Sequence, residues 1–214
     1  MRETWRCSIE DAMTHFEIFS LPRRLQIDTA ALEKSFYKLS RQFHPDRFAS
    51  RPAAEQVAAT ENSSHLNDAY RALRDPIRRT EYLLELEGVE LEEQSVKATE
   101  TARIAGVQKK QIVPPDLLEE AFELNMQLEE MKMAKAAGDD DPQLRKDLEA
   151  AQTNFSGLLA ASQRQLEAEW ASWDAAVDSG DERAKDAAKD EMVALLNKRS
   201  YLRNLLRDVT AVLE

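Results

Sequence analysis

His44 and Asp46 stand two positions apart with Pro45 between them. These residue types can do chemistry. An imidazole can move a proton, and a carboxylate can orient it or grip a cation. Hydrolytic work would also need a nucleophile, oxyanion donors or metal ligands, and nothing close in sequence supplies them. A helical hydrolase built on this pair would have to show turnover by itself. The other chemistry is recognition. Proline fixes its own φ and restricts the residue before it, so His44 and Asp46 would be displayed at little entropic cost. Asp46 could accept a charge-assisted bond from a partner's arginine. His44 could donate, accept or pack. Taken alone the tripeptide is a weak signal, equally readable as a turn that stops a helix.

The elements around it carry more information. Helical periodicity dominates, and strand signals are nearly absent. Asp28 reads as the N-cap of a helix over 29–43. Its Leu32, Phe36, Leu39 and Phe43 recur at helical spacing, while Lys34, Lys38 and Arg41 form a basic stripe on a different face. That stripe suits an acidic partner, and it is also what an ordinary solvated face looks like. Pro45 ends the helix at His44. A polar loop over 44–52 leads to a helix over about 53–73, with Val57, Leu66, Ala69, Tyr70 and Leu73 as its expected buried face. Asp75–Pro76 opens a fourth helix that Gly88 stops. Before all of these, Met13–Leu21 predicts a short apolar helix ended by Pro22.

Residues 89–115 change character. They are polar, end in Pro114–Pro115, and read as a linker. Asp116 is the expected cap of a helix over 117–137. Gly138 and Asp139–Asp141 form a turn, and a solvated turn suits that run better than a cation site, since the EF-hand pattern is missing. A long helix over 143–177 and a last one over 182–213 complete an antiparallel three-helix bundle. Leu144, Leu148, Phe155, Leu159, Leu166, Trp170 and Trp173 are candidate core on the first of these. Met192, Leu195, Leu202, Leu206, Val209 and Leu213 are candidates on the second. His15 and His65 read as isolated structural or surface residues.

Composition sets bounds. The 214 residues suit one or two small domains with sizeable cores. Net charge is −11 and unevenly spread. Residues 1–88 hold 13 Lys and Arg against 14 Asp and Glu, and 89–214 hold 16 against 26. The acidic C-terminal part should repel nucleic acid and anionic membrane. No apolar run is long enough to span a bilayer. The first residues, with Glu3, Glu10 and Asp11, read as neither a signal nor a transit peptide. Cys7 is the only cysteine, which leaves no internal disulfide or Cys-rich zinc site and suits a reducing cytoplasm.

Several segments together resemble the HscB-type J-domain co-chaperones of iron–sulfur cluster assembly. They are Phe19–Ser20–Leu21–Pro22, Phe43–His44–Pro45–Asp46–Arg47–Phe48–Ala49–Ser50, Asn67–Asp68–Ala69–Tyr70 and Glu81–Tyr82–Leu83–Leu84–Glu85–Leu86–Glu87–Gly88. The resemblance is strong over 13–88 and looser over 116–213. It implies an all-α protein: an extension at 1–12, a J domain at 13–88 built as an antiparallel helical hairpin with short flanking helices, a linker at 89–115, and a client-binding bundle at 116–214. It implies a DnaK/HscA-type ATPase chaperone as partner, met by His44, Pro45, Asp46, Lys34, Lys38 and Arg41. It also implies an IscU-type scaffold as client, met by Leu118, Phe122, Glu123, Met126, Glu130 and Tyr201. Met126 stands where many relatives carry an acid. The resemblance implies no catalysis by the chain itself and no cofactor; eukaryotic relatives often carry an N-terminal tetracysteine zinc site, and with Cys7 as the one cysteine a bacterial-type member without a metal is expected. Leu118, Phe122 and Met126 also have the spacing of a bundle core, and that reading stays open on sequence. A J-domain protein of another pathway, whose bundle binds a different client or dimerises, is the alternative.

Overall fold

The computed structural model describes residues 13–89, 91, 113–139 and 141–214. The extension at 1–12 with Cys7, most of the 89–115 linker, and Asp140 lie outside the described residues. Among the described residues all regular structure is helical. The chain divides into two compact units. The first comprises residues up to Val89 together with Trp173–Ser179, and the second comprises the rest.

In the first unit, α1 (His15–Ile18) is a single turn closed by a capping box. The Thr14 hydroxyl accepts the Glu17 N–H, and the Glu17 carboxylate accepts the Thr14 N–H at 2.7 Å. The helix expected over Met13–Leu21 ends early. Ser20 takes a left-handed φ of 53° and the Leu21 N–H returns to the Phe16 carbonyl at 2.9 Å, so the chain leaves the helix before reaching Pro22. α2 (Thr29–Phe43) starts as expected, with the Asp28 carboxylate accepting the N–H groups of Ala30 and Ala31. α3 (Ala53–Arg74) packs against α2, α1 and α4 (Pro76–Leu86). Asp75 caps α4 through the N–H groups of Ile77 and Arg78, and Gly88, at φ 79°, ends the turn beyond it.

The buried arc of α3 is Ala59, Asn62, Leu66, Ala69, Tyr70 and Leu73. Val57, expected in that arc, is exposed. It lies nine residues from Leu66, about 180° around the helix, so both cannot face one core. On α2, Leu32 is buried and Phe36, Leu39 and Phe43 are half-buried. The Phe36 ring stacks on Tyr70 with centroids 4.1 Å apart, and Arg74 lies over the Tyr70 ring. The α2–α3 hairpin is thus joined by ring stacking as well as by aliphatic packing.

In the second unit, α5 (Leu118–Ala137), the body of α6 (Pro142–Ser179) and α7 (Glu182–Leu213) form the expected bundle. Asp141 and Asp181 cap α6 and α7, while Gly138 and Gly180 take left-handed φ at the preceding helix ends. Asp116 does not cap α5. It sits in a 3-10 turn (Pro115–Leu117), and its carboxylate pairs with Lys198 of α7, which holds it below the usual carboxylate range. The core is built by Leu117, Leu124, Leu128 and Met131 from the α5 side, Leu144, Leu148 and Phe155 from α6, and Leu202, Leu205 and Val209 from α7. Leu159, Leu206 and Leu213 are only partly buried at its edge, and Val113, placed by sequence in the linker, also packs there.

Trp173, expected in the bundle core, belongs with the first unit. The reason lies in its neighbours. Asp174, almost fully buried, accepts the backbone N–H groups of Leu25 and Gln26, one on each carboxylate oxygen, both at 2.9 Å. Asp178 pairs with Arg24. The last two turns of α6 therefore serve the segment that leads into α2.

Candidate functional site

α2 stops because His44 adopts an extended backbone (φ −60°, ψ 127°), as a residue before proline prefers. Pro45–Phe48 then form one 3-10 turn. The His44 ring closes this turn on itself. Its Nδ1 accepts the Asp46 N–H at 3.3 Å and lies 3.5 Å from a carboxylate oxygen of Asp46. With Nδ1 engaged inside the turn, Nε2 is the ring nitrogen left to meet a visitor. The Asp46 side chain is 89% exposed. The turn is pinned at both ends. Arg47 donates to the Arg41 carbonyl at the end of α2, and Gln56 of α3 donates to the carbonyls of Ala49 and Arg51.

This geometry displays an imidazole and a carboxylate on a braced loop. The pair is open to solvent, and no group of three or more His, Cys, Asp or Glu side chains among the described residues could hold a metal. Lys34, Lys38 and Arg41 are all exposed and line one shallow depression together with Tyr37. Sequence reasoning passed over Tyr37. The signal that could have found it was an aromatic ring at a position sharing the basic arc.

On α5 the two readings of the apolar stripe separate. Leu117, Ala121, Leu124, Leu128 and Met131 fill the core. Leu118, Phe122 and Met126 lie on the other side, between 60 and 68% exposed, and Met133 continues the row further along the helix. Glu123 and Glu130 are exposed beside them. Contiguous large apolar side chains in water are the mark of an interaction surface. Tyr201 is not part of this exposed row. It is 6% exposed and packs in the bundle core, where burial pushes its phenol above the ordinary value.

The DnaJ domain family model matches residues 14–82, which holds the turn and the basic face. Chaperone HscB from Vibrio cholerae is 27% identical, with 94% of this chain and 97% of that chain covered at a TM-score of 0.56. The human co-chaperone HscB is 22% identical, with 94% and 83% covered at a TM-score of 0.58. No helix among the described residues is long and apolar enough to cross a membrane.

Proposed function

We propose that this chain, an HscB-like J-domain protein, acts as a co-chaperone that stimulates ATP hydrolysis by a DnaK/HscA-type chaperone and delivers an IscU-type scaffold to it during iron–sulfur cluster assembly. The observation that carries the reading is the braced His44–Pro45–Asp46 turn at the end of a helix whose outer face is basic. Asp46 is open to a charge-assisted bond from an arginine of the chaperone, while Lys34, Lys38 and Arg41 steer an acidic surface toward it. Hydrolysis itself belongs to the chaperone. On the bundle, Leu118, Phe122 and Met126 offer an apolar row to the scaffold, with Glu123 and Glu130 favouring a basic counterpart. Carrying both surfaces on one chain raises the effective concentration of client at the chaperone. The setting is a reducing cytoplasm, consistent with a single cysteine.

Single-turnover ATP hydrolysis by the DnaK-type chaperone tests this, with wild type and His44→Gln, each with and without scaffold. Wild type should accelerate hydrolysis, the variant should not, and scaffold should add to the wild-type effect. Acceleration without any scaffold contribution would turn the assignment toward a J-domain protein of another pathway. No acceleration at all would end the co-chaperone reading.

A further inference from the structure

Tyr37 is a costly residue to leave where it stands. It is 57% exposed on the outer face of α2, and alanine would suit that helix position better. Its ring offers apolar area to solvent in the middle of the basic face. Helical geometry places positions 34, 37, 38 and 41 within an arc of about 100°. Their side chains line one depression, with no acid among the lining residues. The ring is not loose. It leans on Phe36, with centroids 5.6 Å apart and planes tilted by 57°, and Phe36 is itself stacked on Tyr70 of α3. An aromatic ring backed by a fixed ring has little freedom left to lose on binding.

We infer that Tyr37 is the affinity-determining contact of this face, docking into an apolar hollow rimmed by carboxylates on the chaperone surface that Lys34, Lys38 and Arg41 steer into place; the inference rests on the chaperone reading of the face. The division of labour follows from the physics of each group. Exposed cations raise the encounter rate, but each adds little net affinity and salt screens it. A tyrosine supplies contact area and a polar tip at the cost of two torsions, which is why such residues concentrate binding energy at interfaces. The cations around the ring select a negative rim, and the ring requires something apolar inside that rim.

The test uses the full chain as wild type, Tyr37→Ala, Tyr37→Phe and Lys38→Ala. Single-turnover hydrolysis by the chaperone is followed against co-chaperone concentration at several ionic strengths, and self-association is followed by sedimentation. Tyr37→Ala should raise the half-saturating concentration about tenfold. It should keep the maximal rate, the wild-type salt dependence and wild-type scaffold binding. Tyr37→Phe should stay within about threefold of wild type, since the ring carries most of the contact. Lys38→Ala should instead flatten the salt dependence. If Tyr37→Ala saturates the chaperone at the wild-type concentration, the inference is wrong while the co-chaperone reading stands. It is equally wrong if the substitution only abolishes self-association, which would make a second copy of this chain the occupant. If wild type fails to stimulate the chaperone at all, the functional reading falls and Tyr37 loses this role with it.

Discussion

Helices α2 and α5 each bury one stripe and leave the other in water, but what they leave there differs in kind. α2 buries Leu32, half-buries Phe36, Leu39 and Phe43, and exposes Lys34, Lys38 and Arg41 around a single aromatic ring. α5 buries Leu124, Leu128 and Met131, with Leu117 just before it, and exposes Leu118, Phe122, Met126 and Met133 beside glutamates. A face made of cations attracts from a distance and weakens with salt. A face made of apolar side chains attracts only on contact, and salt leaves it nearly intact. The first suits a partner met and released in each cycle, and the second suits a client held while the cycle runs. The two faces should therefore fail separately, and each substitution below is a way to break one without the other.

The largest loss is expected at the turn. Asp46→Asn keeps the size of the side chain and removes its charge. If Asp46 meets an arginine in the complex, the substitution leaves that cation without its partner, at a cost of roughly 2–5 kcal/mol. Stimulation of the chaperone should fall at least about thirtyfold, while scaffold affinity measured by calorimetry stays at the wild-type value. An Asp46→Asn variant that lost both activities would mean that the faces are not independent.

Phe122→Ala is the reciprocal cut. Phe122 is the most exposed of the large apolar side chains on α5, so its removal leaves no cavity in the fold and thermal stability should barely move. A central aromatic anchor contributes about 2–4 kcal/mol to an interface, which predicts scaffold binding weakened by about thirtyfold or more. Scaffold-independent stimulation of the chaperone should be unaffected. Tyr201→Phe should do much less to scaffold binding, because that side chain is in the core rather than in the exposed row.

A smaller and different effect is expected at Asp174. Its carboxylate holds the N–H groups of Leu25 and Gln26, shortly before the cap of α2. Arg79 is buried in the same unit, with its guanidinium donating to the Leu73 carbonyl at 2.7 Å. Burial pulls its pKa down, and Asp75 and Asp174 oppose that pull. Asp174→Ala leaves the buried Leu25 N–H without its acceptor, at about 1–3 kcal/mol, while the part-buried Gln26 N–H can turn to water. The loss should appear as faster hydrogen exchange at Leu25 and Gln26 and as a lower midpoint for the first unit. The α2 face should weaken with it and the α5 face should not, although residue 174 lies on a helix that also builds the bundle.

Most of the architecture was legible because helix ends are written locally. Asp28, Asp75, Gly88 and Gly138 act at the positions their types predict, since a cap needs only its own next few residues. The turn at His44–Pro45–Asp46 was legible for the same reason. What could not be read was anything that depends on which side of a helix finds a partner. The stripe Leu118, Phe122, Met126 and the stripe Leu117, Leu124, Leu128, Met131 both have helical spacing, and only packing decides which is core. Asp116 has the residue type of a cap, but its carboxylate goes to Lys198, 82 positions away. Asp174 gave no signal, because its partners are backbone amides about 150 positions earlier. Tyr201 was placed by resemblance alone, and packing buries it. Val57 is exposed for a reason the sequence itself carries, since it lies about 180° around the helix from Leu66.

The smallest expected effect sharpens the comparison by pH. The His15 ring is stacked on Tyr82 with centroids 4.1 Å apart, and the His15 backbone N–H donates to the Tyr82 hydroxyl. Burial lowers the His15 pKa below its ordinary value, outweighing the attraction of Asp68 and Glu85, while His65 nearby acts in the same direction as burial. Because the folded-state value is depressed, the unfolded chain takes up the proton first as pH falls through about 6.5. Stability is then at its full value above that pH and declines below it, until the folded-state pKa is also passed. His15→Phe keeps a ring over Tyr82 and removes the titration. The difference in midpoint between wild type and His15→Phe, followed from pH 8 down to pH 5, should therefore grow in favour of the variant below about pH 6.5. That change should be confined to the unit that carries α2. If the bundle's midpoint shifted equally, the two faces would be supported by one cooperative structure, and α2 and α5 could not fail separately.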